Sequence, residues 1–218
     1  MSHRIYVPTR GAQDWRARLA DPKKHWRQGY SAQAVAEAWE SAAGLPRDIA
    51  RLFDPGAELL FAIPEHGVAL PGRGANSQCD VFALLRIGGQ TCALAVEAKV
   101  HEPFDKTLAE WQTPFSEGKA RRLAGLCDVL QIDPLPDQTR YQLIHRTAAA
   151  IIEARRFKTD RAAMCVQSFA TDHCGHADFA QFAALFGLDV PPGTAATVVL
   201  PSGLPLTLGW ATSTFAAA

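Results

Sequence analysis

Residues 79–100 read CDVFALLRIGGQTCALAVEAKV, two apolar runs on either side of Gly88-Gly89. Consecutive glycines can both adopt the positive φ angles of a two-residue turn, so this pattern predicts a β-hairpin. In such a hairpin the two residues that flank the glycines pair with each other. Counting back from that pair along both strands places Asp80 opposite Glu97.

The polar residues of this hairpin are predicted to share one face. The same register puts Gln78 opposite Lys99, and strand alternation places both beside Asp80 and Glu97. Two adjacent carboxylates among apolar neighbours repel each other and lose hydration, which a shared Mg²⁺ or Mn²⁺ ion would relieve. Lys99 would then orient or deprotonate a water molecule or stabilise a charged transition state. The alternative is a solvated polar stripe with Asp80 at a strand end.

Apolar spacing, caps and turn residues predict the other elements. Ser31 and Ser116 are the expected N-caps of two helices. The predicted helices span residues 31–43, 47–53, 116–133, 141–157 and 179–186. The predicted strands span residues 58–70 (interrupted by a turn near 64–67), 79–87, 90–100 and 162–169, and a terminal hairpin over 198–210 that turns at 201–203. This order predicts an α/β sandwich with a mixed sheet.

Composition favours one globular domain with a basic N-terminal arm. The chain has 218 residues, of which 48% are hydrophobic, and it carries 22 basic and 22 acidic side chains. This balance excludes a disordered chain and a net field that steers the whole molecule to nucleic acid. We expect a single domain over 1–218, divided into the arm 1–30, a core 31–170 and a C-terminal extension 171–218.

The compartment is predicted to be the cytoplasm. No apolar run reaches the roughly 18 residues of a membrane span, and the first residues lack a secretory signal. The five cysteines have no C-x-x-C spacing, so they are expected to be reduced thiols rather than a disulfide framework or a zinc site. No membrane partner is expected.

The acidic residue at 80 and the triplet Glu97-Ala98-Lys99 resemble the signature of the PD-(D/E)XK nuclease superfamily. The core of that superfamily runs αβββαβ, which is the order predicted above. The chain also looks like a little-characterised bacterial subfamily through Gln-Leu-Ile-His-Arg-Thr at 142–147 and Glu-Ala-Lys-Val at 97–100. One departure is Cys79, which stands where the superfamily often has Pro. The resemblance implies a restriction-endonuclease-like sandwich, a central mixed sheet flanked by helices, with a C-terminal hairpin.

The resemblance also implies roles for individual residues. Asp80 and Glu97 would be metal ligands, with the Ala98 carbonyl as a third, and Lys99 would be the catalytic lysine. Either Glu40 or Glu37, both on the first helix, would add a further metal carboxylate. The remaining candidates would line the site or contact substrate phosphate, and they are Gln78, Gln142 and Arg146.

The sequence is therefore compatible with three functions. The first is a Mg²⁺- or Mn²⁺-dependent endo- or exonuclease acting on DNA, with RNA as the alternative substrate and a homodimer as one working form. The second is a catalytically inactive nuclease-fold module that binds nucleic acid or a protein partner. The third is a metal-dependent hydrolase of another phosphate ester.

Overall fold

A computed structural model describes residue 5, residue 7, residues 9–19 and residues 21–215. The helices are the 3₁₀ helix Ala12–Arg18, α1 (Pro22–His25), α2 (Ser31–Ser41), α3 (Arg47–Ala50), α4 (Leu108–Gln112), α5 (Glu117–Leu130), α6 (Tyr141–Phe157) and α7 (His176–Ala184). The strands are β1 (Glu58–Val68), β2 (Ser77–Ile87), β3 (Gln90–Lys99), β4 (Arg161–Ser168), β5 (Ala195–Val199) and β6 (Pro205–Thr212).

The strands form one mixed sheet in the order β1-β2-β3-β4-β6-β5. The first three strands are antiparallel neighbours, β3 is parallel to β4, and β4 is parallel to β6. The chain between β3 and β4 contains α6, as a parallel connection requires a crossover. The predicted α/β class with a mixed sheet and flanking helices is confirmed.

Helices cover both faces of the sheet. On one face, Phe82 and Ala95 belong to a buried cluster with apolar residues of α6 such as Ile151. On the other face, Val81 and Val96 pack in a second cluster that includes residues of α2 and the arm. Because β3 is apolar on both sides, it lies in the interior of the sheet, as its sequence predicts.

The register of the central hairpin is confirmed over most of its length. Ile87 pairs with Gln90, and the ladder continues to the pair Val81–Val96. Gly88 and Gly89 have φ angles of 55° and 86°, which is the left-handed region that this two-residue turn requires.

The prediction that a turn interrupts β1 is wrong. The strand runs unbroken over Glu58–Val68, and its pairing with β2 continues on both sides of Glu65. The local irregularity is Glu65 itself, whose φ is 52°. A single left-handed residue has changed the direction of the strand's side chains without ending the ladder.

One of the two predicted helix N-caps differs from the structure. Ser31 is the first helical residue rather than the N-cap, and its backbone N–H donates to Glu102 Oε1 at 2.9 Å. The other carboxylate oxygen of Glu102 accepts the N–H of Val100 at 2.8 Å. A carboxylate from the end of β3 therefore caps α2 and lies near the positive end of its dipole. Ser116 is the N-cap of α5, as predicted.

The sequence analysis missed α4. Its signal is present in the chain as a capping box, in which Thr107 Oγ1 accepts the N–H of Glu110 and the Glu110 carboxylate accepts the N–H of Thr107. The expected C-terminal hairpin is confirmed as β5 and β6, but β6 also pairs with β4. Residues predicted as an extension thus complete the central sheet, and Trp210 is fully buried there.

Among the described residues, no helix is long and apolar enough to cross a membrane. The five cysteines are free thiols, and four of them are buried.

Candidate functional site

A cavity of about 680 Å³ opens where β3 ends and β2 begins. Its lining contains most of the predicted site residues together with a carboxylate that was not predicted. These side chains are Glu65, Gln78, Asp80, Glu97, Lys99, Gln142 and Arg146.

Glu97 is the most heavily bonded carboxylate in this cavity. It accepts hydrogen bonds from Lys99 Nζ at 2.9 Å, Gln142 Nε2 at 2.6 Å and Arg146 Nε at 2.5 Å, and it is only 3% exposed. Burial opposes its ionisation, but the charges of Arg146 and Lys99 outweigh burial and lower the pKa of Glu97 to about 2. Glu97 is therefore an anion that two internal cations neutralise.

Lys99 is held in place from two sides. Besides Glu97, its Nζ donates to Gln142 Oε1 at 3.0 Å, and it lies 5.1 Å from the centre of the Phe104 ring. Gln142 lies on α6, the helix before β4, and its amide joins Lys99 to Glu97. A lysine fixed this way loses little rotamer freedom when it engages an anion.

Asp80 reaches β3 through its side chain rather than through strand pairing. The ladder between β2 and β3 ends at Val81–Val96, one residue before the predicted Asp80–Glu97 pair. Beyond it, Asp80 Oδ2 accepts the backbone N–H of Ala98 at 2.6 Å. The carboxylate therefore takes the place of a ladder hydrogen bond next to the Glu97-Ala98-Lys99 triplet.

The sequence predicts that regular strand alternation places Gln78 and Asp80 on the same face as the Glu97-x-Lys99 pair. The premise of regular alternation is wrong for β2. Cys79 and Phe82 both pack on the α6 side of the sheet, although they are three positions apart and regular alternation would put them on opposite faces. Alternation is therefore interrupted in β2, and Asp80 lies at the interruption. Gln78 also lacks the expected pairing with Lys99, and its Nε2 donates to Glu65 Oε2 at 2.8 Å instead.

Glu65 is the residue that sequence reasoning missed. The pairs Pro64–Val81 and His66–Cys79 place it opposite Asp80. Burial raises the pKa of Glu65 to about 7, although the hydrogen bond from Gln78 opposes the rise. A register between β1 and β2 would have placed Glu65 opposite Asp80. The turn predicted near residues 64–67 interrupted β1 at this position, so that pairing was not predicted.

Asp80 and Glu65 form a strained electrostatic pair. Burial, together with the charges of Glu97 and Glu65, raises the pKa of Asp80 well above its usual value, against the opposing effect of Arg146 and the Ala98 N–H. One oxygen of each carboxylate, Asp80 Oδ1 and Glu65 Oε1, accepts no hydrogen bond from any described residue. It is therefore unfavourable for both carboxylates to be ionised at the same time.

Arg146, which lies on α6, also contacts Ser77 and, through Ser77, His145. Its Nη1 donates to Ser77 Oγ at 2.9 Å, and the same hydroxyl lies 2.9 Å from His145 Nδ1. Burial lowers the pKa of His145 to about 3, so this ring is neutral at physiological pH. Arg146 thus lines the cavity, but its guanidinium is already committed to Glu97 and Ser77.

The structure places Glu40 outside this site, which corrects its predicted role as a metal ligand. Glu40 Oε1 accepts hydrogen bonds from Thr9 Oγ1 at 2.6 Å and from Trp15 Nε1 at 2.7 Å. It anchors the N-terminal arm to α2. Glu37 accepts the side-chain amide of Gln33 at 2.7 Å and does not line the cavity either.

Comparison with protein families gives one match. A family model described as Domain of unknown function (DUF6946) matches residues 8–215. The chain belongs to the DUF6946 family. Comparisons with curated proteins and with solved structures gave no match.

The donor set of this DUF6946 chain suits a hard divalent cation. Among the described residues, no three His, Cys, Asp or Glu side chains form a preassembled metal cluster. Mg²⁺ does not need one, because it is usually bound by one or two carboxylates and completes its shell with water and substrate phosphate oxygens. The free oxygens of Asp80 and Glu65 meet that requirement, and Glu97 lies beside them.

Proposed function

We propose that this DUF6946 protein is a metal-dependent nuclease that hydrolyses phosphodiester bonds in DNA, with RNA as the alternative substrate. The observation that carries the proposal is the hydrogen bond from Ala98 N–H to Asp80, which brings Asp80 beside the Glu97-x-Lys99 triplet. The order α2, β1, β2, β3, α6, β4 supports it, because the PD-(D/E)XK core has the same order. A restriction-endonuclease-like sandwich is therefore part of the proposal.

Asp80 and Glu65 are the residues that would hold Mg²⁺ or Mn²⁺, with the Ala98 carbonyl as an additional oxygen donor. When bound, such an ion neutralises phosphate charge and lowers the pKa of a water molecule. The raised pKa values of these carboxylates support this assignment. Burial is the main cause for both groups, the charge of Glu65 adds to it at Asp80, and a bound cation would favour their ionised forms.

Lys99 is the residue that would touch the reacting phosphate. It lines the cavity, and its direction is set by Glu97 and Gln142. An ammonium in this position stabilises negative charge that develops on phosphate oxygens, or orients the attacking water by donating to it. Glu97 and Arg146 act as positioning residues, because their hydrogen bonds hold Lys99 and one another.

The test is cleavage of supercoiled plasmid and of single-stranded DNA with Mg²⁺ or Mn²⁺. We expect Lys99→Ala and Asp80→Asn each to lower the rate by about 100-fold or more, the scale seen when one electrostatic group is removed from an active site. Asp128→Asn is the matched control, since Asp128 is exposed on α5. Equal rates in the wild type and both site variants would exclude this cavity as the source of activity.

A second candidate function is a module of the same fold that binds nucleic acid or a protein partner without turnover. The observation that favours it is Glu97, which internal cations already neutralise. Manganese titration followed by electron paramagnetic resonance separates the two functions. Retained DNA binding, with no Mn²⁺ bound above the level of an Asp80→Asn/Glu65→Gln double variant, would favour the binding module.

A further inference from the structure

A second cavity, of about 370 Å³, lies between the glycine-containing loop that precedes β2 and the start of α5. Three basic side chains line it, namely Arg73, Lys119 and Arg122. None of the described residues that line it is acidic. This cavity therefore has the opposite electrostatic character to the carboxylate-rich cavity described above.

Arg122 is the central feature of this second cavity. It is only 7% exposed, and its Nη1 donates to the carbonyl oxygen of Ala75 at 2.7 Å. Its Nε is buried and has no hydrogen-bond partner, and no described carboxylate forms an ion pair with the guanidinium. A buried charge without a counter-ion is costly, because burial removes water and nothing replaces it.

A second polar side chain, Tyr141, lies beside Arg122. Tyr141 is only 7% exposed, and burial raises the pKa of its hydroxyl although the neighbouring Arg122 guanidinium opposes the rise by hydrogen bonding and by its charge. Its ring stacks on Trp111 at a centroid distance of 4.0 Å, which fixes its orientation. Arg122 and Tyr141 thus form one polar cluster in the wall of the cavity.

The first turn of α5 adds further donors. Ser116 caps this 14-residue helix, and Gly118 and Lys119 of its first turn line the cavity. The first N–H groups of a helix lack intrahelical partners and lie at the positive end of the dipole. Glu117 belongs to the same turn but pairs with Arg121 at 3.6 Å instead of lining the cavity.

Glycine at two positions allows the loop to approach Arg122 closely. Gly72 and Gly74 have φ angles of 77° and 128°. A Cβ atom at Gly74 would lie 3.2 Å from Arg122 Nη2, and one at Gly72 would lie 3.4 Å from Arg122 Cα. Backbone rather than side chain therefore forms this wall, which leaves space in front of the guanidinium.

We propose that this second cavity binds a phosphate group. A guanidinium without a carboxylate counter-ion, the tyrosine hydroxyl beside it, a lysine and a helix N-terminus line the cavity with no acidic competitor, and such donors suit a phosphate dianion. The phosphate could be free or belong to a nucleic acid, because the recognising chemistry is the same. This site does not depend on metal binding or cleavage at Asp80.

The two cavities are joined through three side chains. His145 lines the second cavity and contacts Ser77 Oγ, which accepts a hydrogen bond from Arg146 in the first. Arg146 in turn donates to Glu97. A phosphate in the second cavity would therefore lie one hydrogen-bonded chain away from the candidate catalytic lysine.

The test is a calorimetric titration of the full chain in EDTA, so that cleavage and metal binding play no part. Three probes are used, namely inorganic phosphate, a short 5′-phosphorylated DNA strand and the same strand without the 5′-phosphate. We expect inorganic phosphate to bind and Arg122→Gln to weaken binding about tenfold, as loss of a charge-assisted hydrogen bond does. Arg121→Gln is the matched control, because Arg121 is adjacent and exposed, and it should leave binding unchanged.

The other probes identify the source of the phosphate. Tighter binding of the 5′-phosphorylated strand than of the unphosphorylated strand would assign the site to terminal phosphates, and equal binding, lost in Arg122→Gln, would assign it to internal ones. Lys119→Met weakens phosphate binding several-fold even if Arg122→Gln fails to fold. Absence of phosphate binding, or binding that survives both Arg122→Gln and Lys119→Met, would overturn the proposal. Retained phosphate binding by an inactive Asp80→Asn variant would show the two sites to be independent.

Discussion

The Asp80 carboxylate accepts the backbone N–H of Ala98 at 2.6 Å, just beyond the last paired residues of β2 and β3. A side chain has replaced the backbone of its own strand as hydrogen-bond acceptor. This side-chain hydrogen bond holds β2 and β3 together, and it leaves the Asp80 carboxylate between Glu65 and Glu97.

Replacing Asp80 with Asn should abolish activity without loss of stability. The Asn carbonyl can still accept the Ala98 N–H, whereas the substitution removes the carboxylate whose burial, together with the charges of Glu97 and Glu65, raises the pKa of Asp80. We expect a melting temperature equal to or above that of the wild type at about pH 8, measured by circular dichroism without divalent ions. Asp128→Asn serves as control, and a marked fall in melting temperature specific to Asp80→Asn would contradict this account.

Glu65 should make stability depend on pH. Its pKa is raised from 4.5 to about 7, so its contribution is fully present below pH 4.5 and is lost as the pH rises through 7. The size of that loss is up to about 3 kcal/mol between about pH 4 and pH 8. Urea unfolding across this range, without divalent ions, should show a fall in wild type that is smaller in Glu65→Gln.

The control for this prediction is Glu37→Gln, which changes a carboxylate outside the cavity. Added Mg²⁺ should restore wild-type stability at about pH 8, because a ligand that binds only the folded state stabilises it. Parallel pH profiles for wild type and Glu65→Gln would show that Glu65 does not titrate in this range.

Removing Glu97 should strongly destabilise the fold. Glu97→Gln leaves Arg146 and Lys99 buried without their counter-ion, and breaking a buried ion pair costs about 3–5 kcal/mol. Urea unfolding measures the effect. Asp128→Asn is a control because Asp128 is exposed, and a loss below about 1 kcal/mol for Glu97→Gln would show that solvent compensates the two cations.

Glu40→Gln should release the N-terminal arm but leave activity intact. The substitution weakens the hydrogen bonds from Thr9 and Trp15 that attach the arm to α2. We expect faster trypsin cleavage at Arg10, Arg16 and Arg18 and an unchanged rate of DNA cleavage. Glu37→Gln on the same helix is the control, and a large loss of cleavage activity in Glu40→Gln would return Glu40 to the metal site.

The parts of the fold that local chemistry determines were predictable. The glycine pair restricts its hairpin to one tight turn, so the register from Ile87–Gln90 to Val81–Val96 followed from the sequence. The apolar stripe of α6 likewise placed Gln142 and Arg146 on the helix that reaches Glu97.

The parts that depend on distant segments were not predictable. No tight turn joins β1 to β2, so nothing local set the register that places Glu65 opposite Asp80. The role of Glu40 depends on an arm that precedes it by more than twenty residues. The interruption of alternation in β2 arises where β1 contains a left-handed residue, and a pattern of single-strand alternation cannot show that.

The two hydrogen bonds of the Glu102 carboxylate restrict how the mouth of the cavity can open. It clamps the first N–H of α2 and the N–H of Val100, the residue after Lys99, with its two oxygens. That side of the cavity is therefore held rigidly, because separating the start of α2 from the end of β3 would break these hydrogen bonds.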